Sequence, residues 1–225
     1  MSLAASAQLT RIRLSLALLT ERRVALFATM DGFFVFAGLS MALASDGSGR
    51  RFWFPMFLLP ALLLGVPMMA DAVAVERRSG TLDLALTSPG VRLYFERRVA
   101  SVSALIIAQG WAGMLLARSV TPAFPLSGPA LQIVISTCFI TAVTLNWAVR
   151  LKTVGAVAFA TYATAFAFAP WLFSNPVFPP TEMNGPMKAA DYFEYFANNL
   201  VLAAAALLFY LYALQRLSRP ETIIQ

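Results

Sequence analysis

The sequence predicts an all-α membrane protein with six transmembrane helices and both chain ends in the cytoplasm (N-in/C-in). Three observations predict this class. Of the 225 residues, 59% are hydrophobic and only 12% are charged, about half the charged share of a soluble domain. Long apolar runs follow one another with short breaks, and basic residues gather at the ends of these runs. Because so few charges cannot cover a water-facing surface, a lipid bilayer must solvate much of the chain.

Six apolar stretches are long enough to cross the hydrocarbon core, which takes about 20 residues of helix. They are 24–44, 53–75, 99–117, 129–149, 153–173 and 199–215. Only Arg150, Leu151 and Lys152 separate the fourth stretch from the fifth, so we expect a tight hairpin there. The sequence divides into a short N-terminal element, 1–23, and one transmembrane domain, 24–225.

Orientation follows from the distribution of Lys and Arg, which favour the cytoplasmic side of a membrane. With the N-terminus inside, thirteen of the 17 basic residues are cytoplasmic. They are Arg11, Arg13, Arg22, Arg23, Arg77, Arg78, Arg92, Arg97, Arg98, Arg150, Lys152, Arg216 and Arg219. An odd number of spans would place the C-terminal arginines outside, so the charge bias supports six.

The N-terminal element has the pattern of an amphipathic helix that lies in the cytoplasmic headgroup layer. The alternative is a plain cytoplasmic extension of the first span. A cleavable signal peptide is disfavoured because the apolar run after Arg23 is too long and Asp31 interrupts it. The apolar face consists of Leu9, Ile12, Leu16 and Leu19.

The longest external segment, 174–198, opens with prolines that cannot continue a helix. Residues 189–196 are aromatic and acidic, which suits a short helix dipping into the outer interface or an ordinary interfacial anchor. We therefore expect a broken external segment between the fifth and sixth spans.

The cytoplasmic loop 76–90 differs from the other loops. Gly80 permits a sharp turn, Thr81 can cap a new helix and Asp83 complements the helix dipole. Pro89-Gly90 ends that helix after barely two turns. The pattern predicts a short surface helix joined tightly to two spans, where a docking partner can move both. A surface helix without a partner is the alternative.

This loop resembles that of the type 2 ABC exporter permeases (the ABC-2 type transporter permease family), the six-span membrane subunits of bacterial ATP-driven exporters. The resemblance implies that the loop is the coupling helix, which fits a cleft on a separate ATP-binding subunit. Asp83 stands where glutamate is more usual, which keeps the charge. The matching positions are Glu76, Gly80, Thr81, Leu82, Asp83, Leu84, Leu86, Thr87, Ser88 and Pro89.

Polar residues inside the predicted spans are candidates for a translocation path, because polar groups at membrane depth are costly. They include Asp31 in the first span and Gln109 in the third. Thr137, Thr141 and Thr144 share one face of the fourth span, where they can line a path, seal a dimer seam or simply hold helices together. Packing is the preferred interpretation of the threonines.

No catalytic or metal-binding pattern is visible. The chain has no histidine and one cysteine, Cys138, which leaves no intramolecular disulfide and no thiol pair for a metal. It has no phosphate-binding loop of the Gly-x-x-x-x-Gly-Lys-Ser/Thr type. We therefore expect a non-enzyme that binds no cofactor and no nucleic acid, with ATP and Mg²⁺ in a partner subunit.

The expected function is that of a permease subunit in the bacterial cytoplasmic (inner) membrane. The resemblance implies two copies of an ATP-binding subunit and a second permease chain, identical or related, as partners. The alternative is a membrane scaffold or assembly factor that transports nothing. An intramembrane enzyme is disfavoured because paired carboxylates and histidine are missing. The cargo is not identified by the sequence.

Overall fold

The computed structural model describes residues 25–29, 32, 61–71, 91–120, 127–173 and 189–217. These ranges are almost entirely helical, and no strand occurs within them. A short helical segment covers 25–29, and α1 opens with a π-helical turn, Ala61–Gly65, and continues as α-helix over 66–71. The remaining helices are α2, Val91–Val120; α3, Ser127–Arg150; α4, Val154–Ala167; α5, Ala169–Phe173; and α6, Ala189–Leu217.

Three of these helices are long and apolar enough to cross a membrane, by length and composition. Their apolar windows are Glu96–Leu116 in α2, Ala130–Arg150 in α3 and Phe196–Leu217 in α6. Two shorter apolar helices, Leu62–Asp71 and Val154–Ala167, lie in the second and fifth predicted spans. Within the described ranges, the prediction of a helical protein with membrane-spanning candidates is confirmed, and the six spans and the N-in/C-in orientation stay predictions. The N-terminal element 1–23 and the loop 76–90, predicted to be a coupling helix, lie outside the described residues.

The hairpin between α3 and α4 is as tight as the sequence predicts. α3 ends at Arg150, and the N–H of Leu151 still donates to the carbonyl of Trp147 at 2.8 Å. Thr153 caps the next helix, because its Oγ1 accepts a hydrogen bond from the N–H of Ala156 at 3.3 Å. A side-chain oxygen at this position satisfies one of the free N–H groups of the first turn.

The fifth predicted span, 153–173, is interrupted at Phe168. Pro170 has no N–H to give to the carbonyl of Phe166, and its ring crowds that carbonyl, so the helix cannot run straight through. The chain turns at Phe168 and restarts as α5, with the Phe168 carbonyl accepting from Trp171 N and Leu172 N at 3.0 Å each.

α6 is one continuous helix from Ala189 to Leu217. The segment 189–196, expected as a short helix in the outer interface or as an interfacial anchor, is thus the first part of the helix that contains the sixth predicted span. The reason is local: the 189–217 range contains neither Gly nor Pro, so nothing in the backbone stops the helix.

α3 is the centre of the fold. Its apolar window is 78% buried, against 39% for α2 and 17% for α6, and it packs against α1, α2, α4 and α6. α2 runs antiparallel to α3, since Ser103 contacts Thr141 while Trp111 Nε1 donates to the Ala130 carbonyl at 3.4 Å. α6 runs in the same direction as α3, because Phe209 lies against Phe139 and Tyr212 against Arg150.

An aromatic cluster holds the α4–α5 break against the core. The ring of Phe168 lies 5.0 Å from that of Phe139 on α3, 5.6 Å from that of Trp171 on α5 and 6.4 Å from that of Phe209 on α6. The tilted and edge-on arrangements are those that aromatic quadrupoles favour. The break is therefore a fixed feature to which three other helices contribute.

Candidate functional site

A cleft of about 380 Å³ lies between α2, α3 and α6. α3 forms its floor, while the N-terminal half of α2 and the C-terminal half of α6 form its walls. Its lining is mainly apolar and includes four polar or thiol-bearing side chains, which is the usual make-up of a small-molecule site. The lining residues are Val99, Ser103, Val134, Ile135, Cys138, Thr141, Ala142, Ala203, Ala206, Leu207 and Tyr210.

The cleft arises from the way in which two helices rest on a third. α6 packs closely along α3 but approaches α2 only slightly, so a gap remains between the two walls. Small side chains widen this gap, because Ala142 on the floor and Ala203 and Ala206 on the α6 wall leave their space unfilled. Leu207, at the edge of the cleft, is more than half exposed.

A hydroxyl pair joins one wall to the floor. Ser103 Oγ lies 3.1 Å from Thr141 Oγ1, and both side chains are buried. Thr141 also lies 2.8 Å from the carbonyl of Thr137, one turn earlier. Since a hydroxyl has one proton, Thr141 donates to this carbonyl and accepts from Ser103. The pair fixes the spacing of α2 and α3 beside the cleft.

Cys138 and Tyr210 complete the polar part of the lining. Cys138 is the only cysteine of the chain, and it is exposed within the cleft. Tyr210 lines the opposite wall and makes an interaction of its own. Among the described residues, no three His, Cys, Asp or Glu side chains come together in a way that could hold a metal. The cleft has the chemistry for binding an apolar or amphipathic molecule.

The structure separates the polar residues that the sequence places in a translocation path. Thr141 borders the cleft, whereas Thr137 and Thr144 are buried in the packing around α3 and do not line it. Thr144 donates to the carbonyl of Ile140 at 2.7 Å. Gln109 is buried on α2 beyond the cleft, next to the close contact of Gly110 with Ile133.

The other candidates lie outside the described residues. They are Asp31 and the ten matched positions of the coupling loop, Glu76, Gly80, Thr81, Leu82, Asp83, Leu84, Leu86, Thr87, Ser88 and Pro89.

Three of the four polar or thiol-bearing residues of the cleft were not among the candidates predicted from the sequence: Ser103, Cys138 and Tyr210. Ser103 left a usable signal, since a serine in an apolar run must find a partner in lipid. Cys138 and Tyr210 gave no such signal, because each residue type is as common in ordinary helix packing as in a binding cleft. Comparisons of the chain with protein-family models, with curated proteins and with solved structures find no match.

Proposed function

We propose that this chain is the membrane subunit of an ATP-driven exporter of the type 2 ABC class. The observation that carries the proposal is the sequence of the loop 76–89, whose pattern predicts a turn at Gly80, a capped helix and a stop at Pro89, in the order of the coupling helix in that family. When a docked subunit displaces a short helix that connects two spans, both spans move with it.

The course of α2 supports a mechanical link from this loop to the cleft. α2 begins at Val91, directly after Pro89-Gly90, and continues as one helix of 30 residues. Ser103 therefore lies ~18 Å along the same rigid element, at 1.5 Å per residue. A displacement of the loop would move the α2 wall of the cleft. The same movement would strain the hydrogen bond between Ser103 and Thr141.

The proposed transporter is an assembly of this chain with a second permease chain and ATP-binding subunits. Six spans with both ends inside would place the loop in the cytoplasm, where two copies of an ATP-binding subunit with ATP and Mg²⁺ could reach it. A second permease chain, identical or related, would complete the path across the bacterial cytoplasmic membrane. The cleft supports a role for the α2–α3–α6 region in holding cargo.

The test uses two substitutions in the loop and a matched control. Asp83→Arg or Leu84→Arg places a positive charge on the proposed docking surface, whereas Asp83→Glu keeps the charge of the native residue. The measurements are co-purification with candidate ATP-binding subunits and the stimulation of their ATPase activity. We expect both arginine variants to lose complex and stimulation and the glutamate variant to keep them.

Two results would count against the proposal. Complex formation and ATPase stimulation that persist in both arginine variants would show that the loop does not couple. A complex that forms with the native chain but never stimulates ATP hydrolysis would favour a scaffold.

A further inference from the structure

An arginine at the end of α3 is held between two aromatic rings. The Cζ atom of Arg150 lies 4.6 Å from the ring centroid of Tyr212 on α6 and 5.4 Å from that of Trp147 on α3. Trp147 is itself fixed, because its Nε1 donates to Thr164 Oγ1 on α4 at 3.0 Å. Stacking on rings orients the guanidinium without using its hydrogen-bond donors.

Arg216 lies one helical turn beyond Tyr212 on α6. Residues four apart on a helix are neighbours on one face, so Arg216 belongs to the face of α6 whose Tyr212 contacts Arg150. In both arginines Nε is buried and has no hydrogen-bond partner among the described residues. Two guanidinium groups therefore belong to the same end of α3 and α6, and Tyr212 lies next to both positions.

Among the described residues, the helices that carry the two arginines offer no carboxylate near them. The range 127–173, which contains α3, α4 and α5, has no Asp or Glu, and α6 has them only near its start, at Asp191 and Glu194. The other described carboxylates, Asp71 and Glu96, belong to α1 and α2. An anion from outside the described helices is the natural complement of the pair.

The depth of the pair points to the source of that anion. Arg150 is the last residue of the apolar window of α3, and Arg216 is the last but one of that of α6. Both thus sit where hydrocarbon gives way to headgroups. On the same face of α6, Leu208 lies one turn before Tyr212 and is more than two-thirds exposed. This face is charged at one end and apolar along its length.

We propose that Arg150 and Arg216 bind the phosphate of an anionic glycerophospholipid, whose acyl chains lie along the Leu208 face of α6. Guanidinium forks match phosphate oxygens, and basic pockets between helices at the membrane surface bind anionic headgroups. A free phosphate would use the arginines but leave the apolar face uncovered. The proposal does not depend on the transport function.

The experiment compares lipids on the full chain purified in detergent. Dioleoyl phosphatidylglycerol and dioleoyl phosphatidylcholine are titrated, and binding is measured by native mass spectrometry. We expect preferential binding of phosphatidylglycerol, reduced about fivefold by Arg216→Gln and about fivefold again by adding Arg150→Gln. Arg118→Gln, in the last turn of α2 at the opposite end of the helices, should leave the preference unchanged.

Three outcomes would overturn the proposal. The native chain could show no preference for phosphatidylglycerol, or the preference could survive both arginine substitutions. Soluble sn-glycerol 3-phosphate could compete as well as the lipid, which would make the pair a site for free phosphate. If Arg150→Gln fails to fold, Arg216→Gln alone decides, since this residue stands in the last turn of its helix.

Discussion

The hydroxyl of Tyr162 donates a hydrogen bond of 3.1 Å to the backbone carbonyl of Leu62, a residue 100 positions earlier. The bond has a cause in the sequence of α1. In the π-helical turn Ala61–Gly65, the partner of each carbonyl is the N–H five residues later, which for Leu62 falls on Pro67. Proline has no N–H, so Tyr162 supplies the missing donor at a depth without water.

We predict that Tyr162→Phe lowers the free energy of unfolding by about 1 kcal/mol, because the Leu62 carbonyl then loses its partner. Reversible unfolding in mixed micelles with increasing sodium dodecyl sulfate measures this. Tyr212→Phe is the control, since it also removes one hydroxyl and should change stability little. Pro67→Ala restores an N–H near Leu62, so the Tyr162→Phe cost should shrink in that background. An equal cost in both backgrounds would contradict this explanation.

A second prediction concerns the close approach of α2 and α3 at Gly110. A Cβ atom placed there would lie 2.9 Å from Cγ2 of Ile133, so Gly110→Ala must force the helices apart at a cost of about 1–3 kcal/mol. Gly155→Ala is the matched control, since a Cβ there meets nothing within 4 Å. It should leave stability unchanged or raise it slightly through helix propensity. Equal melting temperatures for the two variants would refute the close contact.

A third prediction uses Cys138 as a reporter of the cleft. Because it is the only cysteine and lines the cleft, N-ethylmaleimide should label it in the native protein in detergent. Ala203→Phe fills the cleft and should slow labelling at least several-fold, whereas Ala204→Phe, on the neighbouring exposed position, should not. The extent of labelling after denaturation gives the maximum to which the labelling of the native protein is compared. The cleft assignment fails if both variants react at the native rate.

The fourth prediction tests the aromatic cluster at the α4–α5 break. Phe168→Ala removes a ring that contacts three others and should lower the free energy of unfolding by about 3 kcal/mol. Phe166→Ala, two residues earlier, removes a ring that is 81% exposed and should cost far less. Thermal unfolding of both variants in the same detergent makes the comparison. A similar loss in both would mean that the cluster does not hold the break.

The sequence was a good guide to helix boundaries where the signal is local. The hairpin at 150–152 follows from a short break between two apolar runs, whereas α2 begins at Val91, well before the predicted span 99–117. The interruption at Phe168 was missed although Pro170 stands in the predicted span, because a proline bends a membrane helix in some settings and is absorbed in others. Here the rings of Phe139, Trp171 and Phe209 pack around Phe168 and hold the interrupted conformation.

The candidate site was less predictable, and the threonines of α3 show why. Thr141 and Thr144 each donate to a carbonyl one turn earlier on their own helix. Such bonds satisfy the hydroxyl equally well beside a cleft or inside a packed interface, so the residue type carries no information about its surroundings. Only the placement of α2 and α6 on α3 separates the two cases.

The central position of α3 has a consequence for how the chain is made. This helix buries six polar side chains against its neighbours, namely Gln132, Ser136, Thr137, Thr141, Thr144 and Asn146. Left alone in lipid, it would expose these polar side chains to hydrocarbon. Because α6 follows α3 in the chain, the nascent chain must hold α3 half-covered near the insertion machinery until α6 emerges. If the ribosome stalls before α6 is made, α3 stays partly uncovered in the membrane. We expect membrane proteases to degrade such a chain.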